Sequence, residues 1–575
     1  MGRAAASASA LAAALGMPGV LAGAAVSPDE REVTLVHIGD LHSRLVPRED
    51  ALAAAPRTVG GVARIHTIVE RIRSRSRGVL VLNSGDTMQG SAEALFTRGE
   101  AIAEVVDALG IDAWVPGNWD FAWGATRFRE LVTAGRAPRW GAVAANLYER
   151  ARDGSAGDRV LPAFVVREAG GVRVGIVGLT TRRGPKGGAA EGAGAFVFTD
   201  GERELAPIVR ALRDSARVDV VVLLSELELP VAQRLVERVA GIDVVLSADM
   251  HERTPRPLRA ATGTLLVEEG ADGASVGELA LRVRDRRVVG WRWTQHDVSD
   301  DVPESPSVAA LVARVRAPFL DPAAARRMRN PVHGAALAGP LDEVVGFTSA
   351  PLHRASTAEV PAVIAGPAHD FITDALRAES GADIAILRGH RFGTQLRAGP
   401  ITRGDIYSWL PVGAQAAVVE GVRGAEIVRA LAAAADGAID PDPVRWTGGW
   451  ATAVSGLTYA IDPARPAGAR VRDVRVHGAP IDTSGARLYS VVGLWYPGEP
   501  DVIAGCARCG SGPRLLRAAD GGALDAADVV ERHLASCPGR TARTGPPRVR
   551  LLRPIQPREL PWGLRQPWAA ARAAS

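Results

Sequence analysis

The sequence predicts an α/β first domain within a chain that is α+β overall, and three observations carry that prediction. Strand-like runs stop just short of a polar or acidic residue: 34–38, with strand periodicity, before Asp40, and the apolar 79–82 before Asp86 and 113–115 before Asn118. Between them, residues 62–73 and 100–109 place apolar side chains at helical spacing, and strand–helix alternation builds a sheet layered with helices. The runs at 174–178, 220–224 and 244–246 are apolar without alternation, as strands covered on both faces are.

A chain of 575 residues exceeds what one core holds, so two domains of roughly 200–300 residues are expected. Residues 1–25 carry one positive charge, Arg3, before an Ala/Leu/Gly-rich run that ends near Ala22–Ala25. That layout is an export signal with a small-residue cleavage site, and it predicts a periplasmic or secreted protein. The first domain covers 30–295. Periodicity fades over 296–345, where Pro and Asp accumulate around one helix at 307–317, and this stretch reads as a linker. The second domain covers 346–550, with a helix at 368–378 and a strand at 384–387, and a tail rich in Arg, Pro and Trp covers 551–575.

Composition excludes several classes. An apolar content of 47% and a charged content of 23% are those of a soluble globular protein. A net charge of +4 spread over this length is no nucleic-acid footprint; its densest basic run, 71–77, closes a helix, where a solvated end welcomes cations. No segment after the leader is long and apolar enough to span a membrane. Among 68 basic residues only Lys186 is lysine, so the high isoelectric point is an arginine effect. The chain is expected to be a monomer.

Ligands of parallel sheets collect beyond the carboxyl ends of the strands. Asp40 and His42, Asp86, and Asn118 stand at three such ends, a donor set of oxygens with one imidazole that suits a hard divalent cation. Asp-x-His at 40–42, Gly85-Asp86 and Gly117-Asn118, in this order, resemble the metallophosphoesterase (calcineurin-like) superfamily in its two-domain 5'-nucleotidase form, over about residues 30–550. Residues 85–91, 95–99, 118–121 and 388–394 are similar to its thiosulfohydrolase branch, which serves periplasmic sulfur oxidation.

The resemblance implies a four-layer metallophosphoesterase domain followed by a 5'-nucleotidase-type substrate domain. It implies two divalent metal ions bridged by Asp86, one held by Asp40, His42 and His251, the other by Asn118, Glu226 and Asp249. Glu226 and Asp249 stand where the family carries histidines. As ligands they tune the site toward manganese, with magnesium and zinc as alternatives; otherwise they face solvent in an altered site. Trp119 stands where nucleotidases carry a charge-stabilising histidine, and an indole moves no proton at neutral pH. Asp120 remains to position a water or Asn118.

In the second domain Arg391, and after it Arg388, match the family's anion-holding loop, where a guanidinium fork grips two oxygens. Trp495 and Tyr496 form either a flat binding platform or a capped edge strand. Cys506 and Cys509 suit a disulfide, or a zinc site completed by His533 and Cys537. The implied function is a metal-dependent hydrolase that releases sulfate from a cysteine-S-sulfonate on a carrier protein's arm, or acts on a small anionic substrate. A 5'-nucleotidase or related phosphoesterase is the alternative, and a non-catalytic binding protein on the same fold the second.

Overall fold

The computed structural model describes residues 19–20, 29–51, 53, 55–133, 135–182, 184, 194–354, 364–388, 393, 395–440, 442, 445, 451–495, 512–543 and 545–553. In chain order the first domain runs β1 (Arg31–Ile38), α1 (Val62–Arg75), β2 (Val79–Asn83), β3 (Ala113–Trp114), β4 (Phe164–Ala169), β5 (Val172–Leu179), α2 (Glu202–Arg210), β6 (Val220–Ser225) and α3 (Leu229–Arg238). It continues with β7 (Val244–Ser247), β8 (Leu258–Arg259), β9 (Leu265–Val267), β10 (Ser275–Arg284) and β11 (Arg287–Asp297).

These strands form two sheets, ordered β11-β10-β1-β2-β3 and β8-β9-β7-β6-β5-β4, with Gly19–Val20 alongside Gly290–Trp291 at the edge of the first. Side chains alternate faces along a strand. Val33 and Leu35 of β1, Leu80 and Leu82 of β2, and Leu279 and Leu281 of β10 therefore point one way, against Val174, Ile176, Val222, Leu224 and Leu246 of the second sheet. The opposite face of the first sheet, with Val36 and Val81, packs on Ile65, Ile68, Val69 and Ile72 of α1. The opposite face of the second, with Val221, Leu223 and Val245, packs on Leu205 and Val209 of α2 and Leu235 and Val236 of α3. Helix, sheet, sheet, helix are the four expected layers, and both faces of each sheet are dry. That is why these strands read as unbroken apolar runs.

Strands β1, β2 and β3 are parallel, as are β5, β6, β7 and β9. Their carboxyl ends therefore open side by side.

The interdomain stretch is packed rather than loose. Helix α4 (Pro306–Leu320) is longer than the sequence suggests, and its Val308, Val312 and Phe319 join one apolar cluster with Trp114 and Phe128 of the first domain and Tyr407, Trp409 and Leu494 of the second. Phe96 stacks edge-on against both Phe319 and Tyr407, at centroid distances of 6.5 and 5.7 Å. The second domain adds α5 (Pro367–Ser380), β12 (Ile384–Leu387), α6 (Arg403–Trp409), β13 (Gln415–Arg423), β14 (Ala453–Ser455), β15 (Leu488–Trp495) and β16 (Arg514–Leu515), with sheet order β14-β12-β15-β13-β16. Among the described residues no helix is long and apolar enough to cross a membrane.

Leu35 is fully buried between the two sheets. Leu35→Ala should cost about 2–5 kcal/mol, measured as a lower urea midpoint with unchanged slope; a cost near zero would mean that the two sheets do not share a packed core.

Candidate metal centre

Each expected metal ligand of the first domain lies beyond a strand's carboxyl end: Asp40 and His42 after β1, Asp86 after β2, Asn118 after β3, Glu226 after β6, Asp249 and His251 after β7. The first two loops are zipped by main-chain bonds, Asp40 N to Gly85 O at 3.1 Å and His42 N to Asp86 O at 2.8 Å. Glycine permits the approach of the loops. A Cβ on Gly117 would stand 2.2 Å from Asp86 Oδ1 and 2.6 Å from Glu226 Oε1. Asp40, His42, Asp86, Asp249 and His251 all hold positive φ, between 44° and 77°, a strained region for side-chain-bearing residues that gathers at functional sites.

The side chains converge into two groups of candidate ligands, Asp40–His42–His251 and Asp40–Asp86–Glu226. His42 Nε2 lies 3.0 Å from His251 Nε2 and 3.8 Å from both Asp40 Oδ1 and Asp86 Oδ2. Asp40 is common to both groups, and Asp86, the expected bridge, belongs to the second, its Oδ1 accepting the Trp119 amide at 2.8 Å. Asn118 Nδ2 donates to Asp249 Oδ1 at 2.8 Å, so Asp249 faces into the centre and not into solvent. Asn118 Oδ1 and both Glu226 oxygens are buried with no hydrogen-bond partner among the described residues. Three such buried acceptors are costly unless a cation meets them, and the donor set fits divalent ions.

The electrostatics agree. Burial, and then the neighbouring Asp40 and Asp120 charges, hold the Asp86 carboxyl well above the usual carboxylate range. Burial and the Asp86 and Asp40 charges do the same to Glu226. Burial, and then His251, hold His42 well below the ordinary imidazole value. Without a cation these groups favour protons over charge.

Asp120, expected to position a water or Asn118, holds the residue before Asn118 through its amide. Its Oδ1 accepts the amides of Thr87 and Met88 at 2.9 and 2.8 Å, and its Oδ2 accepts that of Gly117 at 2.8 Å. It therefore splices the Asp86 loop to the Asn118 loop, and burial lifts its carboxyl to about 6 against those three amides. Trp119 is buried among the first domain's apolar side chains.

The remaining expected residues divide. Arg391, Tyr496, Cys506 and Cys509 lie outside the described residues, as do residues 1–18, 21–25 and 554–575. Arg388 sits, half-buried, directly after β12. Trp495 ends β15, which lies inside its sheet between β12 and β13, so it caps no edge strand, and its ring packs on the second domain's core. His533 packs its ring on Phe371 at 5.6 Å, and Cys537 forms no disulfide among the described residues.

Sequence patterning missed a buried arginine group beside the centre. Arg44, Arg48 and Arg354 surround Asp272, with Arg44 Nε at 3.0 Å and Arg48 Nη2 at 3.1 Å from its carboxylate. Burial pushes Arg354 down to about 9 although Asp272 opposes it, and Arg44 and Arg48 push the same way as burial. The one available signal was Arg44, two residues past His42.

Residues 33–253 match the calcineurin-like phosphoesterase family and residues 344–499 the 5'-nucleotidase C-terminal domain. The sulfate thiohydrolase SoxB of Thermus thermophilus shares the fold, with a TM-score of 0.75 at 22% identity over 92% of this chain and 98% of that one. So does a 5'-nucleotidase precursor of the same organism, with a TM-score of 0.73 at 24% identity over 91% of this chain and all (100%) of that one. A probable 5'-nucleotidase of Treponema pallidum is 30% identical over 226 residues, 38% of this chain. The chain matches only 37% of that relative's length.

Gly117→Ala removes no ligand, yet it should weaken divalent-metal binding about 10–100-fold with circular dichroism unchanged; undiminished metal content by elemental analysis would refute the close approach. A second outcome concerns pH. Carboxyls raised on folding stabilise the protein below their ordinary value, near about 4, and lose that contribution as pH rises through the folded value. Chelator-treated protein should therefore melt at lower temperature as pH rises toward neutrality, and added Mn²⁺ should flatten the slope. Parallel slopes with and without metal would exclude these carboxylates as ligands.

Proposed function

We propose that this chain, which belongs to the metallophosphoesterase superfamily and carries the C-terminal domain of the 5'-nucleotidases, is a metal-dependent hydrolase that releases sulfate from a cysteine-S-sulfonate borne on a carrier protein's arm. When bound, the divalent pair supplies Lewis acidity and lowers the pKa of water. Asp40, His42 and His251 would hold one ion, and Asp40, Asp86 and Glu226, with Asn118 and Asp249, the other. The oxygen-rich second set suits manganese or magnesium better than zinc.

Trp119 carries the choice of substrate. Its amide is spent on Asp86 and its ring is buried, so the position next to Asn118 offers no group that moves a proton. Hydrolysis of a cysteine-S-sulfonate breaks the S–S bond and expels a thiolate, whose ordinary pKa is about 8.5, and such a leaving group departs without help. The alkoxide of a nucleotide ester is far more basic and needs a proton donor or a strong charge stabiliser. Arg44, Arg48 and Arg354 supply positive charge beside the centre for an anionic substrate group. The site lies between two domains, a place where clefts for extended ligands form, and an exported protein would meet such a carrier in the periplasm.

The 5'-nucleotidase reading is favoured by the names of relatives such as the Treponema protein. Mn²⁺-loaded protein should release sulfate from an S-sulfonated cysteine peptide at ordinary enzymatic rates, roughly 1–10³ per second. AMP should turn over about 10²–10⁴-fold more slowly. The reverse order would establish the nucleotidase, and metal binding without turnover of either would leave a binding protein.

A further inference from the structure

Asp272 occupies a position where both domains and the metal-binding loops meet. Its amide donates to the Asp40 carbonyl at 2.7 Å. Its carboxylate accepts from Arg44 Nε, from Arg48 Nη2, and from the Gly393 amide of the second domain at 3.3 Å. Arg48 Nη1 returns to the Gly393 carbonyl at 2.9 Å, and Arg44 Nη1 donates to the Ser408 hydroxyl at 3.0 Å. One residue of the second domain is thus held at its N–H by an acid and at its C=O by a base of the first.

Gly393 is fitted to this grip. It holds φ +117°, and a Cβ there would stand 2.7 Å from the Ser408 carbonyl and 2.8 Å from Arg354 Nη1. Arg44 Nη2 and Arg48 Nε are buried with no hydrogen-bond partner among the described residues. Asp272 acts on all three guanidiniums and Asp50 on Arg48 as well, and a bound anion would add a further countercharge beside them.

We propose that Asp272 is a positioning residue of the cleft: it orients Arg44 and Arg48 toward the substrate's anionic group and fixes Gly393 of the second domain against the metal-bearing loops. The proposal rests on the reading of the centre as a site for a tetrahedral anion. It also makes a counterintuitive prediction. A carboxylate that only tempered the local charge would, on removal, let anions bind more tightly, because the net positive charge rises. A positioning carboxylate would do the opposite.

The test uses the Mn²⁺-loaded full chain and inorganic phosphate as probe. Asp272→Asn, near-isosteric and uncharged, should weaken phosphate binding about tenfold, keep metal content, and enlarge the radius of gyration in small-angle scattering as the domains part. Arg48→Gln removes the donor to the Gly393 carbonyl and should enlarge the radius likewise; it carries the test alone if the first variant fails to fold. Binding that is unchanged or tighter in Asp272→Asn, or scattering identical to wild type in the variant that folds, overturns the proposal. Neither readout depends on turnover. A protein inactive on thiosulfonate and AMP would thus sink the activity reading and still leave Asp272 to be judged.

Discussion

Like charges crowded at one dry point are the constraint from which the rest of this molecule follows. Asp40, Asp86, Glu226 and Asp249 are all buried within one centre, joined by Asp120 just behind it. Two unit charges about 4 Å apart repel by about 4 kcal/mol at an effective dielectric constant near 20. A few such pairs rival the whole stability of a domain, about 5–15 kcal/mol. Only a cation or a set of protons makes the arrangement tolerable, and the scaffold must be rigid enough to impose it. Two dry sheets packed face to face supply that rigidity. Asp120 ties the amides of two ligand loops together, and Gly117 lets a third carboxylate approach.

The boundary between the two domains carries the opposite charge, from Arg44 and Arg48 of the first domain and Arg354 of the second. An acidic centre stands beside a basic group, Arg44, Arg48 and Arg354, and the apolar cluster through α4 holds the two halves in contact around them. A centre built wholly from one domain would bind cations. The guanidiniums at the domain boundary add a place where an anion is stabilised beside a cation, an arrangement the proposed hydrolysis would use.

Much of this was legible in the sequence because it is local. Strands covered on both faces write themselves as unbroken apolar runs, and a ligand placed after a strand end is found by reading to the end of the run. All seven expected metal ligands of the first domain reach one centre for that reason. What could not be read is what depends on distant partners. Asp120 reads as a residue that positions a water or Asn118, and that its oxygens take amides from two separate ligand loops shows only in the fold. Asp272, Arg44 and Arg48 carry no motif, and meet Gly393 (Asp272 and Arg48) and Ser408 (Arg44) across more than a hundred residues of chain. The stretch 296–345 reads as a spacer because the exposed face of α4, with Ala310, Ala313 and Ala317, differs little in polarity from its buried face of Val308, Val312 and Phe319, so the amphipathic contrast is weak.

The left-handed backbone at five ligand positions carries a consequence for how such a centre diverges. Among residues with a side chain, aspartate, asparagine and histidine enter that conformation most readily. The fold therefore restricts those five positions to a short alphabet whose main letters are themselves metal donors. Asp249, at φ 77°, stands where the resemblance places a histidine, and the exchange moves between two letters of that alphabet. Glu226 is not among the positive-φ residues, and there a longer carboxylate that would strain a left-handed turn is admissible. Divergence of the metal preference can thus proceed by single steps that never disturb the backbone, with lineages drifting between softer and harder cations while the architecture stays fixed.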